Sequence, residues 1–123
     1  MNTPQSGYIT LIALLLVTTT ALTIGLAVSL RGLGELQAGL AVSEAAVARS
    51  VANACVEDGL ERLRTNWVSY SGSLSTGSDS CTIMVTILGS SATIIASATV
   101  NGYTQSITVQ VSDQLEITNW SDQ

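Results

Sequence analysis

Apolar and polar positions divide the chain into stretches with different periods. Residues 8–30 carry no charged side chain and are mostly apolar. As a helix rising ~1.5 Å per residue they would span roughly 35 Å, enough to cross a bilayer core of ~30 Å. Thr18, Thr19, Thr20, Thr23 and Ser29 dilute this apolarity. Their hydroxyls can bond back to carbonyls of the preceding turn, and small hydroxylated side chains suit close helix packing.

A helical pattern continues over 31–66. Val47, Val51, Cys55, Leu63 and Trp67 fall at steps of four or eight, with Gly59 at the missing step, and predict one apolar face. Arg49, Glu57, Asp58, Glu61, Arg62 and Arg64 lie mostly off it and read as a solvated face. Asp58 and Arg62 have the spacing of an i,i+4 pair, and Arg62 and Arg64 suit the negative end of the helix dipole. Gly25, Gly32, Gly34 and Gly39 mark the weakest part of the helix, since each costs about 1 kcal/mol relative to alanine where water is present. A continuous helix is still expected in the isolated chain.

After Trp67 the period changes. Residues 68–80 (VSYSGSLSTGSDS) are Ser/Gly-rich and read as a connecting loop. Alternation then predicts strands. Cys81, Ile83, Val85 and Ile87 share one face, as do Ala92, Ile94, Ala96, Ala98 and Val100, and Ile107, Val109 and Val111. Asn101-Gly102 has the residue types of a type I′ hairpin turn, and Gly89-Ser90-Ser91 supplies another turn. Residues 113–123 form a tail with a possible short strand through Leu115 and Ile117. The fold class expected is therefore α+β. A long N-terminal helix, its first half transmembrane (8–30) and its second amphipathic (31–66), packs on a three- to four-stranded antiparallel sheet in a head over 67–123.

Composition narrows the chemistry. The formal charge is −5, with four basic residues, all arginine, and no histidine. Four arginines, two of them close together, do not form the basic stripe that nucleic acid requires, so no direct nucleic-acid binding is expected. Without histidine the commonest general base and metal ligand is missing, and two cysteines are too few for a structural zinc site. Glu57, Asp58 and Glu61 could be drawn as a carboxylate cluster, but Arg62 and Arg64 neutralise them. No catalytic, cofactor-binding or metal-binding residue is assigned, and the chain is not expected to be an enzyme. Asn119-Trp120-Ser121 matches a glycosylation sequon, a pattern common by chance, and receives no role.

Cys55 sits on the apolar helix face, and Cys81 has the strand parity of the inward residues Ile83, Val85 and Ile87. Both thiols then point into one helix–sheet interface. A disulfide is the favoured reading, two buried free thiols the alternative. A disulfide would fit an oxidising, extracytoplasmic compartment.

Three readings compete for the apolar segment: a secretory signal peptide, an ordinary signal anchor, or a helix kept on the mature chain after cleavage just before it. The run Gly7-Tyr8-Ile9-Thr10-Leu11-Ile12, followed by an apolar helix, an amphipathic extension and a small antiparallel sheet, resembles type IV pilins and pseudopilins. It is similar to small pilin-like proteins of candidate bacterial phyla in this start and in the stretch Ala52-Asn53-Ala54-Cys55. The resemblance covers the N-terminal third well and the head as architecture only. It implies that 1–7 is a leader, that a prepilin peptidase cleaves between Gly7 and Tyr8, and that the new terminus at Tyr8 is N-methylated. It further implies a structural subunit of a type IV pilus or pseudopilus. Such a subunit is held in the cytoplasmic membrane by a single pass before assembly and lies in an extracellular filament afterwards. Its partners would be other copies of itself, the inner membrane and the pilus assembly machinery; no cofactor is implied. The chain departs from the family pattern in a leader without Lys or Arg, and in Ile12 (Ala13 when Thr-Leu-Ile is aligned) where many pilins carry a glutamate. The alternative function is a single-pass membrane-anchored protein with an extracytoplasmic binding head.

Overall fold

The structure, a computed structural model, describes the backbone of residues 5–123 and the side chains of 7–123. The leader expected over 1–7 therefore lies largely outside the described residues. The chain's contacts divide it into two units between Gly39 and Leu40.

One helix, α1 (Gln5–Thr65), forms without a break, so the glycine-rich stretch at Gly25, Gly32, Gly34 and Gly39 stays helical as expected. It ends where the Asn66 amide donates to the Arg62 carbonyl at 2.8 Å and the Val68 amide turns back to the Asn66 carbonyl at 2.9 Å. Five strands follow: β1 (Tyr70–Thr76), β2 (Asp79–Leu88), β3 (Ser91–Val100), β4 (Tyr103–Ser112) and β5 (Ile117–Asp122). They lie in the order β1-β2-β3-β4-β5, each antiparallel to the next. The fold is α+β as expected, with one long helix packed on an antiparallel sheet, although the sheet has five strands where three to four were anticipated.

Three two-residue turns build this meander. Asn101 and Gly102 both have positive φ, 48° and 86°, as a type I′ turn requires. Gly77 (φ 66°) and Gly89 (φ 62°) are each followed by a serine without positive φ, the pattern of a type II′ turn. These primed turns twist in the same sense as the strands they join, so tight hairpins follow directly from Gly-Ser and Asn-Gly.

Two sequence expectations are corrected here. The Ser/Gly-rich loop expected over 68–80 contains β1, which pairs with β2 from Tyr70↔Val85 to Thr76↔Asp79. Its inward positions are Tyr70, Gly72 and Leu74, alternating with exposed serines, so a period of two is present beneath a composition typical of linkers. On the helix, Val47 is exposed and Ala48 is fully buried in its place. A series in steps of four advances about 40° too far at every step of a 3.6-residue helix, so Val47 has drifted off the face that Leu63 and Gly59 define.

The core belongs to the second unit. Ala48, Val51, Ala52, Cys55, Val56 and Leu63 of α1 face Cys81, Ile83 and Val85 of β2, the five inward residues of β3, and Ile107, Val109 and Val111 of β4. The three alternating strand faces thus hold as predicted, except that Ile87 at the end of β2 is only partly buried. Among the described residues the core contains no buried polar or charged side chain. Leu115 takes a left-handed conformation (φ 63°), rare for a bulky residue, and packs its side chain against the core before β5 begins.

Candidate functional site

The first unit presents the candidate surface. From Tyr8 to Leu36 the large apolar side chains are exposed; even Ile12, the least accessible of them, shows 38% of its surface. A soluble core helix of this composition would be mostly covered, and isolated apolar side chains need no explanation, but a continuous sheath of them marks an interaction surface. The helix is long and apolar enough to cross a membrane.

Its polar side chains are arranged consistently with that solvent. Thr18 donates to the Leu14 carbonyl at 2.8 Å, Thr19 to Leu15 at 2.9 Å, Thr20 to Leu16 at 2.9 Å, Thr23 to the Thr20 carbonyl at 2.9 Å and Ser29 to Gly25 at 2.9 Å. Each hydroxyl proton is thereby satisfied within the helix and does not need water. Where a Cβ would stand on Gly25, Gly32, Gly34 or Gly39, nothing among the described residues outside the helix's own backbone approaches within 4 Å. In this unit Arg31 and Glu35 are the only residues carrying full side-chain charges, and among the described residues neither forms an ion pair or side-chain hydrogen bond.

Gly7 and Tyr8, the residues assigned to leader cleavage and N-methylation, both lie in α1, with the Tyr8 side chain 66% exposed. Cys55 and Cys81 are joined as a disulfide, their Cα atoms 6.3 Å apart and both side chains buried. The structure thus realises the disulfide, and the alternative of two free thiols falls away.

The head carries two features that sequence reasoning missed. At the end of α1, an open groove of about 400 Å³ runs between Glu61, Arg62 and Thr65 on the helix and Val68 and Tyr70 on the chain that follows. Arg62 donates to Asp58 at 2.8 Å and lays its guanidinium 4.4 Å from the centre of the Tyr70 ring. The hydrogen bond and charge of Asp58 raise the Arg62 pKa above the ordinary value, so this cation is already engaged from within. The i,i+4 spacing announced the Asp58 pair; nothing local to 68–80 announced Tyr70, because that segment read as a loop. Second, Arg49 of α1 forms an ion pair with Asp122 of β5, and Trp120 Nε1 donates to the same carboxylate at 2.8 Å. Joining residues so far apart in sequence needs the sheet order, which local pattern does not supply. Among the described residues no three His, Cys, Asp or Glu side chains group to hold a metal ion.

The geometry is that of an uncovered apolar helix together with a disulfide-closed head, and no protein-family model, curated protein or solved structure matches the chain.

Proposed function

We propose that this chain is a structural subunit of a type IV pilus or pseudopilus, assembled through its N-terminal helix. The observation that carries this reading is the uncovered apolar sheath over 8–30, continuous in one helix with residues that are buried in a separate core further on. In a membrane, hydrocarbon solvates such a sheath. Once the helix leaves the membrane, each methylene must be hidden again at about 0.8 kcal/mol, and the same surface on identical copies can hide it. The start Gly7-Tyr8-Ile9-Thr10-Leu11 and the disulfide add support, the latter because disulfides persist in oxidising compartments. In this reading Gly7–Tyr8 is the cleavage point, Tyr8 the methylated terminus, and the acidic, serine-rich head the soluble filament surface. Electron micrographs of cells stained with a gold-labelled antibody to the head test it: labelled filaments are expected, whereas label confined to the cell envelope would count against it.

One observation favours a second reading, a single-pass anchored protein whose head binds a ligand. The groove beside Tyr70 combines an aromatic ring with polar side chains of Glu61, Arg62 and Thr65, the mixture common in small-molecule sites. Under this reading Gly7→Val leaves localisation and function intact; under the first, it blocks maturation.

A further inference from the structure

Between Tyr8 and Glu44 the helix bears two charged side chains, Arg31 and Glu35, both exposed. We propose that Arg31 of one copy pairs with Glu35 of a second, parallel copy, and that this contact sets the axial offset between neighbouring subunits. The inference rests on the filament reading and adds to it a specific pair of residues.

Four considerations carry it. A charge taken out of water by packed apolar helices must meet an opposite charge, since an unpaired buried ion is strongly destabilising. Among the side chains of the first unit, each of these two residues is the other's only opposite partner by charge. Pairing within one helix is the weaker choice, because an i,i+4 pair with the cation on the N-terminal side opposes the helix dipole, and the two side chains do not join in the single chain. Gly32 and Gly34 lie between the two residues and Gly39 just beyond, with open space among the described residues where their Cβ atoms would be, so a second backbone can come close enough to exclude water from an ion pair.

The occupant follows from symmetry. Copies inserted the same way into one membrane lie parallel. At zero offset, parallel helices would place Arg31 against Arg31 and Glu35 against Glu35. A shift of four residues, about 6 Å along the axis, brings Arg31 to the level of a neighbour's Glu35. It also leaves each copy with one cation and one anion for the next copy on either side. Such a contact is head-to-tail and extends into an open series, as a filament needs.

The test uses full-length chains, Arg31→Glu and Glu35→Arg, expressed singly and together, with filaments sheared from cells and quantified. Wild type must form filaments; if it does not, the subunit reading fails, and this inference with it. Given wild-type filaments, each variant alone should lose at least tenfold in yield, while the two co-expressed should recover, because every interface between unlike copies regains a cation–anion pair. Either variant assembling alone at the wild-type level overturns the pairing, as does failure of the mixture to recover. A second measurement does not depend on charge reversal being tolerated: chains bearing Arg31→Cys and chains bearing Glu35→Cys are mixed and oxidised in the membrane. Cross-links between positions 31 and 35 should then exceed those between like positions, and a predominance of like with like overturns the proposal.

Discussion

A Cβ placed on Gly59 would lie 2.5 Å from Cδ1 of Ile83, so the end of the Ile83 side chain on β2 must move aside for any larger residue at this point of the helix. Gly59 continues the buried face of Cys55 and Val56, and Ile83 is itself buried. Two effects oppose each other on replacement. Alanine would favour the helix by about 1 kcal/mol, but overpacking a close-packed core costs about 1–3 kcal/mol. Cδ1 of Ile83 is the free end of a flexible side chain, and Cγ2 of Ile94, 3.4 Å from the same point, is at ordinary van der Waals distance. A turn of Ile83 therefore accommodates the single methyl of alanine, and crowding prevails only for a larger, branched side chain. Gly59→Ala is expected to change stability by less than about 1 kcal/mol and Gly59→Val to lose about 1–3 kcal/mol, measured by urea unfolding of the full chain in detergent. A gain in stability for Gly59→Val would refute the close approach.

The disulfide spans 26 residues between helix and sheet. Chain-entropy arguments assign a loop of this length about 3–4 kcal/mol, a large share of the stability of a small head. Reduction, or the pair Cys55→Ala with Cys81→Ala, should lower the unfolding free energy by that amount while leaving the N-terminal helix formed. Circular dichroism across a denaturant series, with and without reductant, checks both points.

A different magnitude is expected at Arg49 and Asp122. The arginine side chain is 57% exposed, and exposed ion pairs contribute less than about 1 kcal/mol. β5 has mostly exposed side chains, and its pairing with β4 shifts register between Gln110 and Val111. Arg49→Ala should therefore alter global stability by less than about 1 kcal/mol yet release β5. In hydrogen exchange, amide protection should fall over Ile117–Asp122 and stay unchanged in β2 and β3.

Period and turn chemistry together made most of the head legible. Asn101-Gly102 fixed one hairpin, and the apolar alternation in β2, β3 and β4 put the right side chains inward. β1 was hidden because its inward positions include a glycine and its outward ones are serine, so that hydropathy alternates weakly. Tyr70 compensates by covering Gly72: a Cβ there would stand 2.7 Å from Cζ of the Tyr70 ring. The tail was legible as a strand, but not its extent. Ile117 begins β5, whereas Leu115 makes the turn before it, in a conformation that residue identity does not suggest. The cysteine pair could be read from face and parity, while the Arg49–Asp122 contact could not, because it depends on β5 closing the sheet next to β4.

For the proposed subunit the size of Gly7 matters to processing, whereas among the described residues nothing outside the adjoining helix backbone lies within 4 Å of its Cβ position. Gly7→Val should leave the unfolding midpoint of the head within error of wild type, yet abolish maturation. Immunoblots would show only the unprocessed chain, retained in the membrane fraction. A processed product from this variant would remove Gly7 from the cleavage site.

The account depends most on the apolar helix remaining part of the finished molecule. Intact-mass analysis of the chain recovered from purified surface filaments tests this directly. The expected mass is that of a chain whose N-terminus is Tyr8, with its disulfide closed and one methyl group on that terminus. A chain beginning beyond Leu30, or one of full mass that leaves the cells as a soluble monomer, would contradict it.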